Sequence, residues 1–376
     1  MTSQAQVQDK PKQKSRLHIT NRQNDARYKA TGFMLALKKS PDYDDELKTV
    51  NHKKNGSPYK YPESLFMSLA IIRNCTRMSF RVLAGFAEAS IGSACAPSYS
   101  QIHKRINSIK VTIKDNIITA VGKKGVLRMA IDGTGLSPSA RSEYIRHKHK
   151  IKHGFIRLLL VVDVDTREIL SFSVTDERVG EAPQFERLTC TALENSGIES
   201  KECGQPNSES EKDSAGVQAT DKSEQQNASD SALEDMLFEL IMYGDGGFDS
   251  REIFQICKKL GITARIRMRV NAAIRSRGVS RDRSLAAIEQ LGGGVSDPKK
   301  FAQLTNEERE ANRKKWKKRV KYGNRWISEI VISSFKRLFG DSVAAIRWNH
   351  VVHEIALKVD TYNQILWVHR EAIAAA

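Results

Sequence analysis

Residues 236–268 read MLFELIMYGDGGFDSREIFQICKKLGITARIRM. The apolar run Met236 to Tyr243 has the length and composition of a buried strand, and it stops at Gly244-Asp245-Gly246-Gly247. A helix is expected over Arg251 to Leu260 and a second strand over Ile262 to Met268. Two successive strands joined through a helix pair in parallel, so this stretch predicts an α/β fold with helices laid against a sheet.

Upstream, the β-rich runs Val126 to Ile131, Ile156 to Val164 and Ile169 to Val174 read as strands of one meander, with Asp165-Thr166-Arg167-Glu168 as a turn. A helix should begin near Pro183 and carry Phe185, Leu188 and Leu193 on one face. Residues 199–230 hold 8 acidic and 3 basic side chains among Ser, Gln and Asn, with almost nothing to bury, which predicts a disordered acidic insertion. Residues 271–321 are basic and Gly-interrupted, with Arg275, Arg277, Arg281, Arg283 and a run from Arg313 to Lys321 around Trp316. They are expected to form a basic insertion outside any compact core, facing DNA with an interleaved aromatic; a solvated charged hairpin is the plainer alternative.

Towards the N-terminus, residues 1–55 are polar and rich in Lys, Arg, Asn and Gln, which predicts a flexible basic arm. Residues 56–122 read as a small helical domain, from the spacing of Leu65, Leu69 and Ile72, then Phe80, Leu83 and Phe86, then Ile102 and Ile106 after Pro97-Ser98. Its third segment carries His103, Lys104, Arg105 and Lys110, which suit a DNA groove and equally suit a solvated face.

The 376-residue chain has 61 Lys plus Arg against 44 Asp plus Glu, a net charge of +17. That balance points to a polyanionic partner, most simply nucleic acid. No run approaches the roughly 20 apolar residues of a membrane span, so a cytosolic protein is expected. Cys75, Cys95, Cys190, Cys203 and Cys257 are scattered without a CxxC pair, which argues for reduced thiols and against a zinc site. His147, His149 and His153 alternate with Lys148, Lys150 and Lys152, whose charges would repel a cation.

Asp132 follows the run Val126 to Ile131 and precedes Gly133-Thr134-Gly135, so it stands at a strand end, as Asp245 does between Gly244 and Gly246. A carboxylate there is costly unless it is paired or bound to metal; a single one also serves as a turn or helix cap. Tyr322, Arg325, Glu329 and Lys336 fall within about 60° of one another at helical spacing and form one polar stripe. Trp326, Ile327, Ile330, Val331 and Leu338 mostly fall opposite, as the packed face. Three carboxylates with room for water and phosphate oxygens suit Mg²⁺, and a two-metal site suits in-line displacement at phosphorus.

The order Asp132, Asp245, Glu329, with Tyr322-x2-Arg325-x3-Glu329-x6-Lys336, resembles the catalytic signature of prokaryotic insertion-sequence transposases with a DDE domain. The resemblance implies a ribonuclease-H-like core over residues 123–376, with a mixed five-stranded sheet and an insertion between the second Asp and the Glu. By family role, Asp132, Asp245 and Glu329 would bind two Mg²⁺ ions, with Mn²⁺ as a substitute, and Tyr322, Arg325 and Lys336 would contact DNA phosphates. It further implies terminal-inverted-repeat and target DNA as partners, a homodimer on DNA, and a cytoplasmic, nucleoid-associated protein. The expected activity is cleavage of the element's ends and joining of the 3′ ends to target DNA. A regulator that only binds DNA, or a nuclease that cuts without joining, are the alternatives.

Overall fold

In the computed structural model, which describes residues 21–38, 41–112, 125–138, 154–198, 239–274 and 281–376, the sheet grows outward from one central strand. That strand is β1 (Val126–Pro138), followed by β2 (Ile156–Asp163), β3 (Ile169–Asp176), β4 (Glu239–Gly244), β5 (Ile262–Ile266) and the short β6 (Ser342–Val343). Their order is β3-β2-β1-β4-β5, with β6 pairing the far end of β1. The meander is antiparallel, with Met129 opposite Asp163 and Leu136 opposite Ile156. On the other side β4 runs parallel to β1, with Ala130 beside Tyr243, and β5 runs parallel to β4. The mixed sheet implied by the resemblance is what forms, and the parallel pairing expected of the strand-helix-strand stretch is that of β4 with β5.

Side chains alternate across a strand, so β1 feeds two cores. Leu127, Met129 and Ile131 point to one face, where helices α6 (Phe185–Asn195) and α7 (Arg251–Lys259) supply Phe185, Leu188, Ile253 and Phe254; the numbering leaves α1 to α5 for the N-terminal region. Ala130 and Leu136 point to the other face, with Val331 and Phe335 of one helix (Trp326–Phe339) and Ile355 and Val359 of the last one (Trp348–Ala374). Asp132 continues the even-numbered series and Gly133 the odd one. The alternation thus sends the Asp132 carboxylate towards the Trp326–Phe339 helix.

The N-terminal region contains α1 (Asn21–Leu35), α2 (Tyr43–Asn51), α3 (Glu63–Thr76), α4 (Phe80–Ile91) and α5 (Tyr99–Ile106). Residues 21–51 are therefore not the flexible arm expected over 1–55: two helices form, and Leu37 and Tyr43 join a core with Leu65, Leu69, Leu83 and Ile102. Leu357 of the last helix also enters this core, and Thr31 Oγ1 lies 2.7 Å from His369 Nε2. Residues 1–20, the acidic stretch 199–230 and the His147 to His153 cluster lie outside the described residues.

The basic stretch 271–321 departs furthest from expectation. From residue 281 it folds into α8 (Arg281–Ala287), a π-helical turn, α9 (Pro298–Gln303) and α10 (Asn306–Arg319), while Arg275 and Arg277 lie outside the described residues. Trp316 is 3% exposed, so the aromatic among the basic residues is core and not a DNA-facing ring. Arg309 donates to the carbonyls of Val270, Ala272 and Phe301 at 2.8–3.3 Å, and Arg313 donates to Met268 O at 3.0 Å. Guanidinium groups carry several donors, and here two of them satisfy chain carbonyls that would otherwise be buried unpaired. Cys190 takes part in a disulfide, against the expectation of reduced thiols throughout.

The helices after the sheet are α11 (Trp326–Phe339) and α12 (Trp348–Ala374). Buried Glu354 on α12 accepts from Ala344 and Ala345 N–H at 2.9–3.1 Å and pairs with Lys358 at 2.8 Å. Burial alone would raise its pKa, but Lys358 and those N–H groups bring it below the ordinary value. Glu354→Gln should cost about 3 kcal/mol at neutral pH, because Lys358 is left buried without a counter-charge. A lowered folded-state pKa gives stability that is full above the unfolded value and lost as pH falls through the folded one. The deficit, read from thermal unfolding, should therefore begin to shrink as pH falls through the ordinary glutamate value of about 4.3 and vanish only below the lowered folded-state one.

Candidate catalytic site

Three elements place the candidate acids. Asp132 lies midway along β1, where the chain changes from Ile131 to the small residues Gly133 and Thr134. Its Oδ1 accepts from Gly133 N–H at 2.9 Å; its Oδ2 is 3.5 Å from Ser328 Oγ and 3.7 Å from Arg325 Nη1, both across the gap to α11. Asp245 ends β4 in extended backbone and caps the 3₁₀ turn Gly246–Phe248, accepting from Gly247 N–H. Glu329 lies in the first turn of α11 and pairs with Arg325, one helical turn before it.

Arg325 therefore stands between two of the three acids, with its side chain 16% exposed. Burial opposes its charge, yet Tyr322, Glu329 and Asp132 outweigh that and raise its pKa. For Asp132 the balance runs the other way. Burial raises its pKa first of all, the Gly133 N–H and Arg325 lower it, and the charges of Glu329 and Asp245 raise it again. The charges of Glu329 and Asp245, both distant in sequence, thus act on Asp132.

Tyr322 is not on the exposed stripe. Residues Tyr322–Arg325 form a 3₁₀ turn, entered through Lys321 in left-handed backbone (φ 52°), and α11 begins only at Trp326. The Tyr322 ring packs against Trp316, and its hydroxyl donates to Gly244 O at 2.8 Å. Gly244 O also accepts from Arg267 N–H at 3.3 Å, so the residue before Asp245 is held from two sides. Burial pushes the Tyr322 hydroxyl pKa up to about 12. Tyr322 is thus a positioning group for the end of β4. Its expected phosphate contact is corrected: the hydroxyl is buried and donates to the chain.

The packed face of α11 also differs from expectation. Val331 and Phe335 are buried, but Trp326 is 64% and Ile330 is 41% exposed beside Glu329. At about 100° per residue Trp326 and Ile330 lie within about 100° of Glu329 on α11 and share its exposed side, while Val331 and Phe335 fall on the packed one. Lys336 is half-buried on α11, about 10 Å along the axis from Glu329 at 1.5 Å per residue, and has no ion-pair partner among the described residues.

Sequence reasoning missed Asp249. Its carboxylate is fully buried, receives Arg283 Nε and Nη2 at 2.6 and 2.9 Å, and accepts from Arg269 N–H. This fork ties the loop after Asp245 to α8. The phrase GDGGFDS showed two acids four residues apart; nothing local revealed that the second would meet an arginine from the basic stretch.

The parallel and antiparallel halves meeting at β1, with one acid midway along β1, one at the end of β4 and a third on the helix across them, define a ribonuclease-H-like α/β domain. Two family models, each described as a transposase DDE domain, match residues 35–140 and 214–364. The chain belongs to the DDE transposases. No curated protein and no solved structure matches it. Asp132 falls within one matched range and Asp245 and Glu329 within the other.

Proteins of this family generally work with divalent metal ions. Among the described residues no three of His, Cys, Asp or Glu are already gathered to enclose an ion. The donor chemistry nonetheless fits one: all three groups are hard carboxylate oxygens, and Asp132 is a desolvated acid acted on by two like charges. Asp132→Asn should raise the melting temperature at pH 7, since a raised folded-state pKa means the ionised group costs stability. The gain should shrink as pH falls and vanish below about pH 4, where both states are protonated.

Proposed function

We propose that the protein binds the terminal inverted repeats of an insertion sequence, cleaves the DNA ends and joins the freed 3′ hydroxyls to target DNA. The convergence of Asp132, Asp245 and Glu329 on one electrostatic site, in a chain of the DDE transposase family, carries this reading. These acids would hold two Mg²⁺ ions, which activate the attacking oxygen and stabilise the leaving one in an in-line displacement. Arg325, already confined beside Asp132 and Glu329, supplies a cation for a neighbouring phosphate, and Lys336 supplies another further along α11. Tyr322 holds the Asp245 backbone in place.

DNA contacts beyond the site are supported by a cleft of about 910 Å³ in the N-terminal helical region. Lys60, Lys104, Arg105 and Lys110 line it, and the Arg105 guanidinium lies 4.9 Å from the exposed ring of Tyr59. A cationic cleft with an accessible aromatic suits a phosphate backbone and its bases. Holding two ends for joining calls for at least a dimer on DNA. Among the described residues no helix is long and apolar enough to cross a membrane.

The test is incubation of the protein with labelled terminal-repeat DNA and a supercoiled target in Mg²⁺ or Mn²⁺. Joined products are expected; cleavage without joining would indicate a nuclease, and binding alone a regulator. Asp132→Asn, Asp245→Asn and Glu329→Gln should each abolish cleavage while terminal-repeat binding, measured by gel shift, stays within about threefold of the unmodified chain. Cleavage retained in any one of them removes that residue from the metal-binding set.

A further inference from the structure

Glu181 lies outside both matched ranges, on the turn between β3 and α6. In sequence it reads as a helix cap, since Ala182-Pro183 follows and a helix begins. Its side chain makes no capping hydrogen bond. The turn that carries it is firmly held: Arg157 donates to Val179 O at 2.6 Å, and Asp176 Oδ1 accepts from the Arg178 and Val179 N–H groups at 2.9 and 3.2 Å. No hydrogen bond or ion pair engages the Glu181 carboxylate among the described residues.

The carboxylate goes instead to the mouth of the sheet. A β-carbon added to Gly133 would come 3.0 Å from Glu181 Oε1, and one added to Gly247 would come 3.6 Å from Oε2. Gly133 follows Asp132 and its N–H is held by that residue's carboxylate; Gly247 donates its N–H to Asp245. One carboxylate therefore spans the two backbone sites that anchor both aspartates. It does so only because neither position carries a side chain. Glycine at 133 and 247 leaves a cradle that a larger residue would fill.

We propose that Glu181 is a fourth carboxylate of the catalytic centre and takes part in binding its divalent cation, from the Gly133 side of β1. This rests on the reading of Asp132, Asp245 and Glu329 as the metal-binding acids. Mg²⁺ and Mn²⁺ keep several waters and bind few protein carboxylates directly, so a fourth acid held one water away from the ion can still anchor it. Partners in that outer position orient the ion and its ligands, and losing one commonly weakens metal affinity tenfold or more.

The test is Mn²⁺ titration of the full-length chain without DNA, followed by paramagnetic resonance of free Mn²⁺ and so independent of activity. Glu181→Gln should weaken Mn²⁺ binding about tenfold and leave metal-free DNA binding unchanged. Gly133→Ala should do the same, because its methyl group displaces the Glu181 carboxylate. The double variant should be no worse than either single one, since both remove one interaction. Asp132→Asn is the reference for the site itself, and thermal unfolding confirms that each variant is folded. If Asp132→Asn loses Mn²⁺ while Glu181→Gln binds it as tightly as the unmodified chain, the role given to Glu181 is wrong and the site stands. If Asp132→Asn also binds Mn²⁺ undiminished, the metal site itself is misplaced and both readings fall.

Discussion

A carboxylate on the central strand of a sheet, packed on both faces, has to be answered by its surroundings, and Asp132 organises this molecule in that sense. Desolvation raises its pKa, and two neighbouring acids raise it further. What holds it in place is one backbone N–H and the guanidinium of Arg325, brought across from the start of α11. Arg325 can reach only because the 3₁₀ turn before α11 is anchored by Tyr322 to the end of β4. The mouth of the sheet, the turn and the helix are therefore one assembly. Disturbing the Tyr322 hydroxyl bond would act on the carboxylates without touching them.

The same assembly explains why so much charge sits so close together. Asp132, Asp245 and Glu329 repel one another, and the Arg325 guanidinium between Asp132 and Glu329 offsets part of that repulsion. Like charges held this close lower stability, as is common at active sites. The stability is recovered elsewhere. Two separate cores pack on the faces of β1, and buried arginines from residues 281–319 cap the carbonyls that follow β5.

Much of this was legible from residue order. The apolar runs before Asp132 and Asp245 announced two strands, because apolar runs bounded by glycine have few other readings; Asp245 does end β4, but β1 continues past Asp132 to Pro138, so that acid is mid-strand and not at the expected strand end. The strand-helix-strand order over 239–266 announced parallel pairing. The role of the basic stretch was not legible. Arg309, Arg313 and Trp316 look like a solvated or DNA-facing surface when only composition is weighed, yet they are buried against the loop after β5. Arginine donors serve chain carbonyls as well as phosphates, and only the fold decides which acceptor is near. Residues 21–51 were misjudged for a related reason: a few apolar side chains, Leu37 and Tyr43 among them, suffice when the rest of the core comes from elsewhere.

By itself the sequence determined the sheet's strand runs, the family, and which acids compete for a site, since these follow from local periodicity and from residue types at strand ends. Tertiary structure alone decided which groups meet. Helical spacing put Tyr322 on a stripe with Arg325 and Glu329, but spacing assumes an unbroken helix. A turn of tighter pitch takes Tyr322 off that helix and buries it. Glu181 and Asp249 gave no local sign of their positions, because each is defined by a contact with a distant part of the chain: one with the glycines beside Asp132 and Asp245, the other with Arg283. Periodicity is a property of neighbours along the chain, whereas a site is a property of neighbours in space.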